Sequence, residues 1–95
     1  MSAAELLAKA RAAGVTIATA ESCTAGLIAG AITEVAGSSD IFDRGFVTYT
    51  NTAKQDMLGV SAATLAAVDA ESEEVAREEA GGAQARTRAE SAVEV

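Results

Sequence analysis

Ser22 and Cys23 stand side by side in the hexapeptide Glu21-Ser22-Cys23-Thr24-Ala25-Gly26, between a short apolar run and an alanine-rich one. A hydroxyl and a thiol where a strand gives way to a helix are placed for nucleophilic attack. The first N–H groups of a helix lack intrahelical partners, so they can steady a developing oxyanion or hold a phosphate. The same residues also have a structural use: Ser22 or Thr24 can cap the helix, and Cys23 can be a small buried side chain. On local pattern alone the cap is the commoner outcome.

The chain contains no histidine, so neither a Ser-His nor a Cys-His pair can form and no histidine can ligate a metal. A serine nucleophile then needs another base, and a lysine serves when burial or nearby positive charge brings its pKa toward neutrality. Lys54 is one of two lysines and lies just past Tyr49, whose phenol can relay a proton or orient the pair. Ser22, Lys54 and Tyr49 make a coherent acyl-transfer set. A solvated helix residue at 54 and a strand aromatic at 49 stay open beside it. A helix N-terminus can lower a thiol pKa, but Cys23 has neither a histidine nor a second cysteine to work with and is the lesser candidate for a catalytic or redox role. Glu21 can orient Lys54, bind a ligand amide or simply accept a turn N–H. The acidic group Glu71, Glu73, Glu74, Glu78 and Glu79 suits a solvated helix face, because a hard cation needs oxygens converging from a loop of defined geometry.

The elements that must position these residues follow from pattern. Ser2 and Glu5 have the spacing of a capping box for a helix over 2–13 that stops at Gly14. Residues 15–20 are a compact β-branched run that predicts a buried strand. Leu27, Ile28, Ile32 and Val35 put one apolar stripe on a helix over 24–36, ended by Gly37. A polar turn at 38–40 precedes a strand over 41–50, and Asn51 or Thr52 caps a helix that reaches Gly59. Short helices over 61–68 and from Ser72 onward follow, the last with Val75 as its only large apolar residue and Gly81-Gly82 interrupting it. Residues 92–95 read as a further strand. This order is the α/β pattern with a mainly parallel sheet, in which ligands lie outside the carboxyl ends of the strands. The segments 21–26 and 49–54 leave those ends.

The 95 residues form one small domain, residues 1–95, with 24 alanines and only 19 Leu, Ile, Val and Phe. Apolar surface is therefore scarce, and self-association into a homo-oligomer, with strand or domain exchange, is an expected source of further burial. The net charge of −7 and the lack of any basic run exclude nucleic acid and anionic membrane as partners. Residues 1–60 carry 4 basic and 6 acidic groups (−2), residues 61–95 carry 3 and 8 (−5), so the last third is the acidic end. One cysteine allows no intrachain disulfide, and no segment reads as a signal peptide or membrane span. A cytoplasmic protein is the default.

The stretch Thr16 to Gly26, followed by Gly37-Ser38-Ser39, Phe42 to Lys54 and Met57-Leu58-Gly59-Val60, closely resembles the C-terminal domain of CinA, the competence/damage-inducible protein. Stand-alone members of that family are nicotinamide-nucleotide amidases, which hydrolyse nicotinamide mononucleotide to nicotinate mononucleotide and ammonia. The resemblance spans roughly residues 1–90. It implies a three-layer α/β/α fold and a serine-lysine mechanism that uses no cofactor or metal. Ser22 would be the nucleophile, Lys54 the general base and Tyr49 an assistant, with Glu21, Thr24, Ala25, Gly26 and Asn51 binding substrate or its phosphate. The family has a second glycine where this chain has Ala25. It also continues beyond the last strand into a Thr-Gly loop and a Gly/Pro-rich segment, and it is usually apolar where Glu71, Glu79, Gln84, Ser91 and Glu94 stand here. These departures predict a truncated, re-surfaced fragment whose amidase activity is impaired, engineered or rearranged in origin, with a natural truncation as the other origin. The alternative is a non-catalytic folding module of the same lineage.

Overall fold

The structure is a computed structural model that describes residues 2–68, 72–87 and 91–94. Three strands form a parallel sheet in the order β2-β1-β3, with β1 at Ile17–Glu21, β2 at Phe42–Val47 and β3 at Ser91–Glu94. Every residue of the central strand β1 is buried, as a strand covered on both faces requires.

Alternation along β1 sorts the helices into two layers. Ile17 packs with Leu7, Ala10, Ile32 and Ile41, beneath α1 (Ala3–Ala13) and α2 (Leu27–Thr33). Ala20 packs with Leu58, Val60, Val75 and Ala83, beneath α3 (Asn51–Leu58) and α5 (Glu73–Ala85). Helix α4 (Ala62–Ala67) lies against α5, with Leu65 packed on the same cluster. The expected three-layer α/β/α arrangement with three parallel strands is what the chain forms. Among the described residues, no helix is long and apolar enough to cross a membrane.

Boundaries moved for local reasons. The Ser2–Glu5 capping box forms and Gly14 ends α1 in the left-handed region. The Val15 N–H still bonds Ala10 O, so β1 begins at Ile17 rather than 15. Ala25 and Gly26 have φ of 51° and 98°, which no right-handed helix can pass through, and α2 therefore starts at Leu27 rather than 24. The cap of α3 is Thr50, whose hydroxyl accepts the Ala53 N–H at 3.0 Å, and neither Asn51 nor Thr52. That use of Thr50 stops β2 short of the expected position 50. Val95 lies outside the described residues.

The largest correction concerns α5, which runs unbroken through Gly81-Gly82. A Cβ on Gly82 would stand 1.9 Å from Leu58 O, whereas one on Gly81 would meet nothing within 4 Å. Gly82 is the point where the backbones of α3 and α5 touch. Close approach of helices, with Val75 and Ala83 buried beside it, holds a helix that has few apolar side chains.

Candidate active site

Ser22 comes directly after β1 and is 3% exposed. Its carbonyl accepts the Ala25 N–H at 3.1 Å, and Thr24 O accepts the Leu27 N–H at 3.0 Å. These bonds, with the left-handed pair at 25 and 26, turn the chain sharply from strand into α2. Cys23 lies exposed on the same turn.

Glu21, the last residue of β1, is fully buried. Its Oε1 accepts from the Ile28 N–H at 2.9 Å and from Thr24 Oγ1 at 2.8 Å, and its Oε2 accepts from the Ala29 N–H at 3.0 Å. Burial pushes this carboxyl up, but the Ile28, Thr24 and Ala29 donors, with the Gly26 N–H, outweigh it and hold the pKa below the ordinary glutamate value. The first amides of α2, which the sequence offered to an oxyanion or phosphate, are thus engaged by the chain's own carboxylate.

Lys54 sits one turn into α3, and the Thr50 cap fixes which face of that helix it occupies. Its side chain is 1% exposed, and Nζ donates to Thr48 O at 3.0 Å and Tyr49 O at 3.4 Å. The Thr48 N–H in turn donates to Glu21 O at 2.8 Å. One residue just past the carboxyl end of β2, Thr48, therefore connects the Lys54 amine, through its carbonyl, to Glu21, the residue before Ser22, through its N–H. The structure brings these two predicted residues to neighbouring strand ends. Among the described residues, no hydrogen bond joins them.

Tyr49 is 70% exposed, and its carbonyl, rather than its phenol, meets Lys54. Asn51 is exposed on the first turn of α3.

Sequence reasoning missed Glu79. It does not lie on a solvated face: it is 1% exposed, its Oε2 accepts from Thr48 Oγ1 at 3.3 Å, and its Oε1 is 4.0 Å from Lys54 Nζ. The spacing of four from Val75 to Glu79 to Ala83 was the available signal, since those are the buried residues of α5. Its neighbour Glu78 faces elsewhere, accepting the Ser61 N–H at 2.8 Å and the Thr64 hydroxyl. Glu73 pairs with Arg77 across one exposed turn. Glu71 lies outside the described residues.

Residues 1–95 match the CinA C-terminal domain. The chain belongs to that family. It is 53% identical over 91 residues to the nicotinamide-nucleotide amidohydrolase PncC of Enterobacter agglomerans, covering 96% of this chain and 56% of that protein. The crystal structure of the competence/damage-inducible protein CihA from Agrobacterium tumefaciens superposes with a TM-score of 0.92 at 53% identity, over 97% of this chain and 56% of that one. A CinA superfamily protein from Escherichia coli gives 0.94 at 36% identity, over 97% and 54%. The chain spans about half the length of the curated relatives it matches. Within this CinA domain, Ala25 stands in a left-handed conformation that favours glycine, which gives the departure noted in the sequence a physical meaning.

Proposed function

We propose that this CinA domain carries the nucleophile and base of a nicotinamide-nucleotide amidase, acting on the carboxamide of nicotinamide mononucleotide. The reading is carried by one observation: Ser22 follows the carboxyl end of β1, and the Lys54 amine, reaching from α3, binds Thr48 O just past the carboxyl end of the adjacent parallel strand β2, with Thr48 N–H bonded to Glu21 O. Such strand ends are where ligands sit in open α/β sheets. The name of the Enterobacter agglomerans relative supports the substrate.

In this reaction Ser22 Oγ attacks the carboxamide carbon while Lys54 takes the hydroxyl proton. The C–N bond then breaks and ammonia leaves with that proton. Water next attacks the acyl-enzyme, with Lys54 accepting its proton, and releases nicotinate mononucleotide and free Ser22. Glu21 holds the turn that presents Ser22. We assign Thr24, Ala25, Gly26 and Asn51 to the nucleotide and the Tyr49 phenol to proton relay, in a protein of the cytoplasm.

A second reading, a non-catalytic module of the same lineage, is favoured by the engagement of Lys54 with Thr48, Tyr49 and Glu79 rather than with Ser22. Ammonia release from nicotinamide mononucleotide separates the two. The amidase reading predicts release that Ser22→Ala and Lys54→Ala both abolish. Absence of release at high protein concentration supports the module.

A further inference from the structure

The Lys54 amine is held at three places, and Ser22 is not one of them. Nζ donates to Thr48 O at 3.0 Å and Tyr49 O at 3.4 Å, with Glu79 Oε1 at 4.0 Å. The Lys54 and Glu79 side chains are 1% and 2% exposed, so water screens their attraction little. Glu79 is itself anchored. Its Oε2 accepts from Thr48 Oγ1 at 3.3 Å, and the contact of Gly82 with Leu58 O fixes α5 against α3. The Thr48 hydrogen bond and the fixed backbone of α5 thus keep the carboxylate beside the Lys54 amine.

We propose that Glu79 is a positioning residue that competes with Ser22 for the Lys54 amine and holds the pair apart. The inference rests on the reading of Ser22 as nucleophile and Lys54 as base. A base must bring its nitrogen within roughly 2.6–3.2 Å of the hydroxyl it deprotonates. A buried carboxylate on α5 draws that nitrogen toward the helix instead, and the pair persists because separating it leaves a buried charge uncompensated.

The test is the rate at which a fluorophosphonate labels Ser22, read by mass spectrometry. In that reaction the Ser22 oxygen–phosphorus bond forms as phosphorus–fluorine breaks, fluoride leaves, and the hydroxyl proton passes to the amine. Wild type is compared with Glu79→Gln, which keeps the shape, with Glu79→Met, which keeps the length, and with each combined with Lys54→Ala. Circular dichroism checks that each folds. Both single variants are expected to label about tenfold faster or more, a part of the roughly 10²–10⁴ a positioned base supplies, and Lys54→Ala is expected to cancel the gain. A purely structural role gives no Lys54-dependent gain. Folded Glu79→Gln labelling at the wild-type rate or slower overturns the proposal, as does a gain that survives Lys54→Ala. If neither Glu79 variant folds, Thr48→Val, which releases only Oε2, must give a smaller gain, and its absence overturns the proposal equally. Ammonia release by the same variants separates the two readings. Faster labelling without ammonia leaves Glu79 in this role and removes the substrate assignment, whereas wild-type release that falls in Glu79→Gln does the reverse.

Discussion

Glu21 Oε1 accepts the Ile28 N–H at 2.9 Å, so the carboxylate that ends the central strand caps the helix that follows it. Through this bond and its companions to Ala29 and Thr24, the turn bearing Ser22 is fixed from inside the protein. The sign of its pH dependence follows from the direction of the shift. The folded Glu21 pKa lies below the ordinary glutamate value, so its stabilisation is full above that ordinary value and is lost as pH falls through the lower folded one. Asp40, held down by its hydrogen bond from Arg11, and Glu78, held down by Thr64, act in the same direction. The urea midpoint should fall as pH drops through the ordinary carboxylate range, about 4. Glu21→Gln should lower the midpoint at pH 7 and flatten that slope, leaving the part due to Asp40 and Glu78. Titrating the midpoint from pH 7 to 3 checks both.

Adjacent glycines in α5 should respond oppositely to alanine. At Gly82 the new Cβ meets backbone at Leu58 O, which cannot rotate away, and a loss of about 2–3 kcal/mol is expected. At Gly81 the Cβ meets nothing within 4 Å, and better helix propensity should add roughly 0.5–1 kcal/mol. Denaturation of the two variants tests whether α5 is one continuous helix packed on α3.

Ala25 sits at φ 51°, a conformation that costs an L-residue roughly 1–2 kcal/mol. Glycine removes that strain and adds roughly 0.4–1 kcal/mol of unfolded-state entropy. Strain wins narrowly: Ala25→Gly should stabilise by up to about 1 kcal/mol, measured as a rise in the urea midpoint.

Thr19 presents a buried hydroxyl with no partner among the described residues. Removing an unsatisfied buried hydroxyl while keeping the shape recovers its desolvation penalty, about 1–3 kcal/mol. Thr19→Val should therefore stabilise the fold, read as a higher melting temperature.

What the sequence disclosed was the part fixed by local pattern. The capping box at Ser2 and Glu5, a buried strand expected over 15–20 and found at Ile17–Glu21, and the order of elements follow from side-chain periodicity and cap chemistry within a few residues. Ser22 and Lys54 were found because the lack of histidine left few bases. What escaped depended on contacts between distant segments. Gly82 looked like a helix breaker because its close approach to Leu58, 24 residues earlier, has no local signature. Glu79 looked like one more solvated acid because burial of a carboxylate is set by its partners, here Thr48 and Lys54. Glu21 was read as one of several uses, and only the positions of Ile28 and Ala29 decide that it caps α2.

The central claim is that Ser22, rather than the adjacent exposed Cys23, forms the acyl-enzyme with Lys54 as its base. The direct measurement is mass spectrometry of the chain acid-quenched during reaction with nicotinamide mononucleotide, followed by peptide mapping, on wild type, Glu79→Gln and Lys54→Ala. The account predicts one acyl group on Ser22, forming faster in Glu79→Gln at the earliest quench times and absent in Lys54→Ala. An adduct on Cys23, or one on Ser22 that is indifferent to Lys54, would contradict it.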